Sequence, residues 1–180
     1  MVLLITGCIN PIKKQEWLQI SNDKVRLQQY IDSIKYYIKY SCFDEIVFCE
    51  NSNYQCDERY ELEKLAGSIG KKFEWLSFSG SCEIVELWGK GAGEDEIVSF
   101  AIKNSATLKQ ADCFAKVTGR LILKNINSIV KKCKKNNNYF IRDVYRDKNR
   151  FGVDTRFYII EKSFFENNLI GIVNFYVYFL

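Results

Sequence analysis

Gly89-Lys90-Gly91-Ala92-Gly93-Glu94, followed by an amphipathic run and then by Lys116-Val117-Thr118-Gly119-Arg120, is the stretch on which the reading of this chain turns. The first segment reads as a glycine loop opening a helix from about Glu94 to Leu108, with Ile97, Val98, Ala101 and Leu108 on its inner side. Glycines admit close backbone approach to a ligand, and the helix start behind them offers N–H groups without intrahelical partners. Ala111 to Thr118 then reads as a strand delivering Lys116, Thr118, Gly119 and Arg120 at its carboxyl end. A glycine loop facing two cations and a hydroxyl is an anion site in outline.

The flanking sequence supplies the frame. Val2 to Thr6 is a short apolar run ending at Thr6-Gly7, as a buried parallel strand does. A loop from Cys8 to about Ile20, holding Pro11, leads to the cap Ser21-Asn22-Asp23. Leu27, Tyr30, Ile31, Ile34, Tyr37 and Ile38 then share one helix face. Glu45 to Cys49 is a second strand, ending in Glu50-Asn51; Asp57 caps a helix with Leu62, Leu65, Ala66 and Ile69 inward and Gly70 as its stop. Phe73 to Phe78 is a third strand. After the fourth, a helix presents Ile126, Ile129, Val130 and Cys133, and two strands, Tyr139 to Arg142 and Arg156 to Ile160, flank a charged loop, Asp143 to Asp154. Strands alternating with helices at this spacing predict one α/β domain over residues 1–180, a Rossmann-like, mostly parallel sheet flanked by helices.

Composition narrows the function. At 180 residues, 47% hydrophobic and 27% charged, the chain is globular rather than disordered. A net charge of +4 with interleaved signs does not predict nucleic acid as a partner, and Lys131 to Lys135 reads as cations closing a helix. Seven cysteines without a Cys-x-x-Cys pair fit reduced thiols in a cytoplasmic protein. Histidine is absent, which removes Ser-His-Asp and Cys-His catalysis and histidine-based metal sites. The N-terminus lacks the pattern of a signal peptide, and no run is apolar for the eighteen or so residues of a span. Leu169 to Leu180 is strongly apolar and aromatic. It reads either as a last core strand, as a peripheral membrane or partner contact, or as a chain ending early relative to longer relatives.

Ligands of open α/β sheets bind beyond the carboxyl ends of the strands. The groups that meet there are Thr6-Gly7 with Asn10, Glu50-Asn51, the glycine loop with Lys90, Gly91 and Gly93, and Thr118-Gly119-Arg120. Lys90 is the loop's phosphate-facing charge, and Arg120 and Lys116 meet the same anion unless one of them is a structural ion pair.

This order of parts resembles that of glycosyltransferases with the GT-A fold, over roughly residues 1–165. The pairing of Gly-Lys-Gly-x-Gly-Glu with Lys-x-Thr-Gly-Arg is similar to small bacterial glycosyltransferases of capsule or lipopolysaccharide synthesis. The resemblance implies a nucleotide-sugar donor and a saccharide or lipid-linked acceptor, used in the cytoplasm or at the inner face of the membrane. It places Glu50 and Asn51 at ribose or base, and Glu94 either at a sugar hydroxyl or at the helix dipole. Members usually hold a divalent metal through Asp-x-Asp; here that position reads Phe114-Ala115-Lys116-Val117-Thr118-Gly119-Arg120. Cations repel a metal and can meet phosphate directly, so no metal cofactor is expected. Inverting transfer needs a base for the acceptor hydroxyl. Among Asp143, Asp147 and Asp154, Asp154 is favoured because Arg156 stands beside it to tune it.

Three other readings compete. Leu4-Ile5-Thr6-Gly7 looks like the start of a short-chain dehydrogenase, but Cys8 to Lys14 holds none of the glycines required. Gly89 to Glu94 lacks the Gly-Lys-Ser/Thr of a P-loop. The third is a degenerate or truncated transferase-like domain that binds a nucleotide or a protein partner without turnover.

Overall fold

The computed structural model describes residues 1–11, 20–134, 136–144 and 151–170. The elements run β1 (Val2–Gly7), α1 (Asp23–Tyr40), β2 (Glu45–Glu50), α2 (Glu58–Ser68), β3 (Lys72–Ser77), α3 (Cys82–Trp88), α4 (Lys90–Asn104), α5 (Ala106–Lys109), β4 (Cys113–Thr118), α6 (Ile126–Lys132), β5 (Tyr139–Val144), β6 (Phe151–Glu161) and α7 (Lys162–Asn168). The strands form one six-stranded sheet in the order β3-β2-β1-β4-β6-β5. β3, β2, β1 and β4 are mutually parallel, while β6 pairs antiparallel with both β4 and β5. This is a Rossmann-like α/β sheet, with its order reversing between β1 and β4.

Alternation along the strands sorts the core into two layers. Leu3, Ile5, Ala115, Val117, Phe157 and Ile159 face α1, α2 and α6, while Val2, Leu4, Phe114, Tyr158 and Ile160 face α4, α5 and α7. Both faces of β1 are covered, which is why this strand reads as a continuous apolar run. Helix α1 behaves as its pattern predicts: Asn22 caps it by accepting from the Val25 N–H, and Tyr30, Ile31, Ile34, Tyr37 and Ile38 are buried. On α2, by contrast, Ile69 stays half exposed beyond the last turn, and Asp57 makes no capping hydrogen bond.

Several boundaries differ from the sequence reading. The glycines at 91 and 93 do not form a loop. They lie in the first turn of α4, and the sharp turn sits one residue earlier, at Gly89, whose φ of +79° favours glycine. An unforeseen helix, α3, precedes it, capped by Ser81 on the Ile84 N–H. Because α4 begins at Lys90, Glu94 to Glu96 fall in its second turn, too far along to serve the dipole at its start. The helix also breaks at Ser105, whose hydroxyl caps the short α5. β5 and β6 extend into the stretch expected to be a charged loop, reaching Val144 and starting at Phe151. Of the apolar tail, only Leu169 and Ile170 fall within the described residues.

Gly119 allows a close approach between the end of β4, β1 and α1. A Cβ there would sit 2.5 Å from the Thr6 carbonyl oxygen and 2.7 Å from the Tyr30 ring, and the backbone oxygen cannot move aside. Gly119→Ala should therefore cost about 1–3 kcal/mol as an overpacking change, read as a lower urea midpoint with an unchanged m-value. Glu74 on β3 gives a pH-dependent check. Burial pushes its carboxyl up, but hydrogen bonds from the Ser105 hydroxyl and the Ala106 and Thr107 N–H groups outweigh it and hold the pKa below 4.5. A depressed carboxylate stabilises the fold above its unfolded pKa, and that stability is lost as pH falls through the folded value. Glu74→Gln should lower stability by about 1–2 kcal/mol at neutral pH. The gap from wild type should close at pH values well below 4.5 in parallel thermal melts.

Candidate functional site

The reversal point between β1 and β4 opens a cleft of about 720 Å³. Its base is the pair of strand ends, where Thr6 lies opposite Thr118 in register. Helix α1 forms one wall with Arg26 and Tyr30; α3 and the start of α4 form the other with Val85, Lys90, Gly91, Gly93 and Glu94. Arg156 and Thr155 reach in from β6. Of the residues expected at the site, Thr6, Gly7, Asn10, Asn51, Lys90, Gly91, Gly93, Glu94, Thr118, Arg120 and Arg156 line this cleft. Glu50, Lys116, Gly119 and Asp154 do not.

Lys116 accounts for the most consequential difference. The expectation placed it against a ligand phosphate, yet it is 1% exposed and lies beneath the cleft. Strand alternation turns it toward α4, which covers that face. Its Nζ contacts Glu94 Oε1 at 2.5 Å and donates to the Thr155 carbonyl at 2.7 Å and the Thr118 hydroxyl at 3.2 Å. Tyr158 closes the other side, its ring centroid 5.6 Å from Nζ. Burial pulls the Lys116 pKa below the ordinary lysine value, and the Glu94 charge works against that pull. Glu94 Oε1 also accepts from the hydroxyls of Thr6 and Thr118, each at 2.9 Å. One carboxylate oxygen thus ties the ends of β1 and β4 to α4. The Glu94 side chain keeps 24% of its surface, on the cleft.

The other three residues off the cleft act from behind it. Glu50 is fully buried, and its two oxygens accept from the Ser52 N–H and hydroxyl, the Tyr54 N–H and the Ser77 hydroxyl. This carboxylate shapes the loop after β2 rather than facing a ribose. Gly119 holds the strand ends together, donating its N–H to the Thr6 carbonyl at 2.8 Å. Asp154 grips the Arg156 guanidinium with both oxygens, at 2.5 Å and 2.9 Å, and these bonds hold its carboxyl below the ordinary range. A carboxylate so paired is a poor proton acceptor, so its place in the structure is to orient Arg156, the partner that does reach the cleft.

Arg120 is exposed, and its Nη1 donates to Gln29 of α1 at 3.0 Å. Arg26 and Tyr30 are lining residues that the sequence reading passed over. Arg26 looked like one more polar residue of an amphipathic helix, although it falls one residue before Leu27 at the edge of the apolar face. Among the described lining residues the cations are Arg26, Lys90, Arg120 and Arg156, against the single carboxylate Glu94. Glu94 Oε1 already holds an ammonium and two hydroxyls. Among the described residues, no three Asp, Glu or Cys side chains come together as a metal site would need. None of the described helices is long and apolar enough to cross a membrane.

No protein-family model and no curated protein matches this sequence. Among solved structures, the chain is similar to the glycosyltransferase GlyE of Streptococcus pneumoniae TIGR4, with a TM-score of 0.57 at 8% sequence identity. The likeness covers 94% of this chain but 36% of that one, so the chain spans about a third of GlyE. What the two share is the fold, a Rossmann-like α/β sheet.

The buried pair offers a direct test. Glu94→Gln leaves the Lys116 ammonium buried without a counter-charge and should cost about 3–5 kcal/mol in a denaturant melt. Adding Lys116→Met to that variant should recover most of the loss, since the charge needing a partner is then gone. Equal melts for the Glu94→Gln single and the double variant would show that the pair carries no such coupling.

Proposed function

We propose that this chain is a glycosyltransferase of the GT-A type. In this reading the β1/β4 cleft takes a nucleotide-sugar donor, and the sugar passes to a saccharide or lipid-linked acceptor of a bacterial surface polysaccharide. The observation that carries the reading is the charge of the cleft, four cations against one carboxylate among the described lining residues, at the reversal point of a sheet whose fold is shared with a glycosyltransferase. Such a site favours a polyanion with a hydroxyl-rich end over a neutral metabolite.

The chemistry follows from what each group can do. An acceptor hydroxyl attacks the anomeric carbon, the bond between that carbon and the bridging phosphate oxygen breaks, the nucleoside diphosphate leaves with the electron pair, and the hydroxyl proton passes to water. Arg120, Arg156 and Lys90 face the oxygens on which that charge grows, replacing a metal as the counter-charge. Arg156 is held for this by Asp154, and Lys90 stands at the uncapped start of α4, where N–H groups add to the field. Glu94, pinned through one oxygen, is the lining carboxylate able to accept from a sugar hydroxyl. The work falls at the inner face of the membrane if the acceptor is lipid-linked.

Thermal-shift measurements with UDP-, GDP- and CMP-sugars, followed by turnover of any ligand found, test this reading. One nucleotide-sugar should raise the melting temperature, and its turnover should persist in excess EDTA. Arg120→Gln should lower kcat/KM about 10–100-fold, the loss of one charged hydrogen-bonding partner. Turnover abolished by EDTA and restored by Mn²⁺ would overturn the metal-free mechanism. Binding without turnover would favour the alternative, a transferase-like domain that only binds its nucleotide or a partner.

A further inference from the structure

Arg26 carries a charge that no carboxylate among the described residues answers, although its guanidinium carbon lies 6.0 Å from the centroid of the Tyr30 ring. It is 6% exposed and lines the cleft from α1. Nε and Nη2 donate to the Cys8 carbonyl at 2.9 Å and 2.5 Å, Nη1 donates to the Ile20 carbonyl at 3.3 Å, and Nη2 approaches the Tyr30 hydroxyl at 3.4 Å. All of these acceptors are neutral. A guanidinium has five N–H groups, so one N–H on Nη1 has no acceptor among the described residues. No Asp or Glu among the described residues forms an ion pair with it. Glu50, the buried carboxylate at this end of the sheet, has both oxygens engaged by Ser52, Tyr54 and Ser77. Buried charges are otherwise paired, because neutral dipoles only partly replace the water that has been removed.

A second arginine is brought to the same wall by independent contacts. Gly119 packs against the Tyr30 ring, and the next residue, Arg120, is tethered to Gln29. Gln29 lies one helical turn from Arg26, so Arg120, which follows β4, is held against α1 close to the position from which Arg26 projects. Tyr30 stands between them, its hydroxyl accepting the Cys8 N–H at 3.0 Å. The opposite wall carries Glu94.

We propose that Arg26 and Arg120 form a two-arginine seat for a diphosphate on the α1 wall, so that the hydroxyl-bearing end of the ligand points toward Glu94. The seat deepens the nucleotide-sugar reading and rests on it for the ligand's identity, but it requires only the diphosphate. The remaining Nη1 N–H of Arg26 and the Arg120 guanidinium can each donate to a phosphate oxygen, and the buried arginine is orientated in advance by the carbonyls of Cys8 and Ile20. The polarity of the cleft then decides which way round the ligand lies.

Isothermal titration of the full chain with inorganic pyrophosphate, UDP and GDP tests the seat without any turnover. Wild type should bind pyrophosphate, and Arg26→Gln and Arg120→Gln should each weaken that binding 10–100-fold. Raising the salt should weaken wild type more steeply than either variant. Should Arg26→Gln fail to fold, Arg26→Lys keeps the charge without the fork and should still lose several-fold in pyrophosphate affinity. Wild-type affinity in Arg26→Gln or Arg26→Lys, or no pyrophosphate binding by wild type, overturns the seat. Arginine-dependent pyrophosphate binding with no turnover of any nucleotide-sugar sinks the transferase reading and leaves the seat standing. Turnover that is indifferent to Arg26 does the reverse.

Discussion

The contact between Glu94 and Lys116 is the constraint around which the carboxyl end of the sheet is arranged. A fully buried ammonium must find a counter-charge, and the counter-charge comes from α4, which is thereby seated over β1 and β4. The same carboxylate oxygen takes the hydroxyls of Thr6 and Thr118, so the two strand ends and the helix share one acceptor. Such a pair contributes little to net stability compared with an apolar core, yet breaking one half of it is expensive. Its consequence is positional: α4 begins where it does, and Glu94 presents its remaining surface to the cleft.

Around that anchor the cleft is built from unequal walls. Helix α1 brings Arg26 and, through Gln29, holds Arg120; β6 brings Arg156 in the grip of Asp154; α4 brings Lys90 and Glu94. The glycines serve this assembly through packing more than through freedom of the backbone. A Cβ at Gly93 would meet a Val85 methyl at 2.8 Å, so Gly93 lets α3 lie against α4. Gly119 lets β4 finish against β1 and Tyr30. In the proposed function these contacts set the distance between the phosphate-bearing wall and the hydroxyl-bearing wall.

Much of the frame was legible in the residues. The apolar runs of β1 and β2, the single apolar face of α1 and the cap at Asn22 all follow from local chemistry, and they sufficed for a Rossmann-like sheet. Most of the residues expected at the site do line one cleft, because strand ends of a parallel sheet converge wherever the order reverses. The misses share a different cause. Lys116 could be assigned to a strand face by alternation, but not to the inside, because that depends on which helix covers the face. Asp154 and Arg156 lie two apart on a strand and so share a side; which of them reaches the cleft depends on how β6 pairs with β4. The turn was misplaced because three glycines in six residues look like a loop locally, and only the packing of α3 on α4 keeps two of them helical.

By itself, the sequence determined the alternation of strands and helices, the apolar faces and the cluster of polar groups at the strand ends. These depend on periodicity and on neighbours a few residues away. Only the tertiary structure decided that Lys116 is a buried partner of Glu94, that Glu50 braces a loop, and that Arg26 lies in the wall of the cleft with no carboxylate paired to it among the described residues. Each of these is settled by contacts between residues distant in the chain, since whether a charge is solvated, paired or left waiting for a ligand depends on what packs over it.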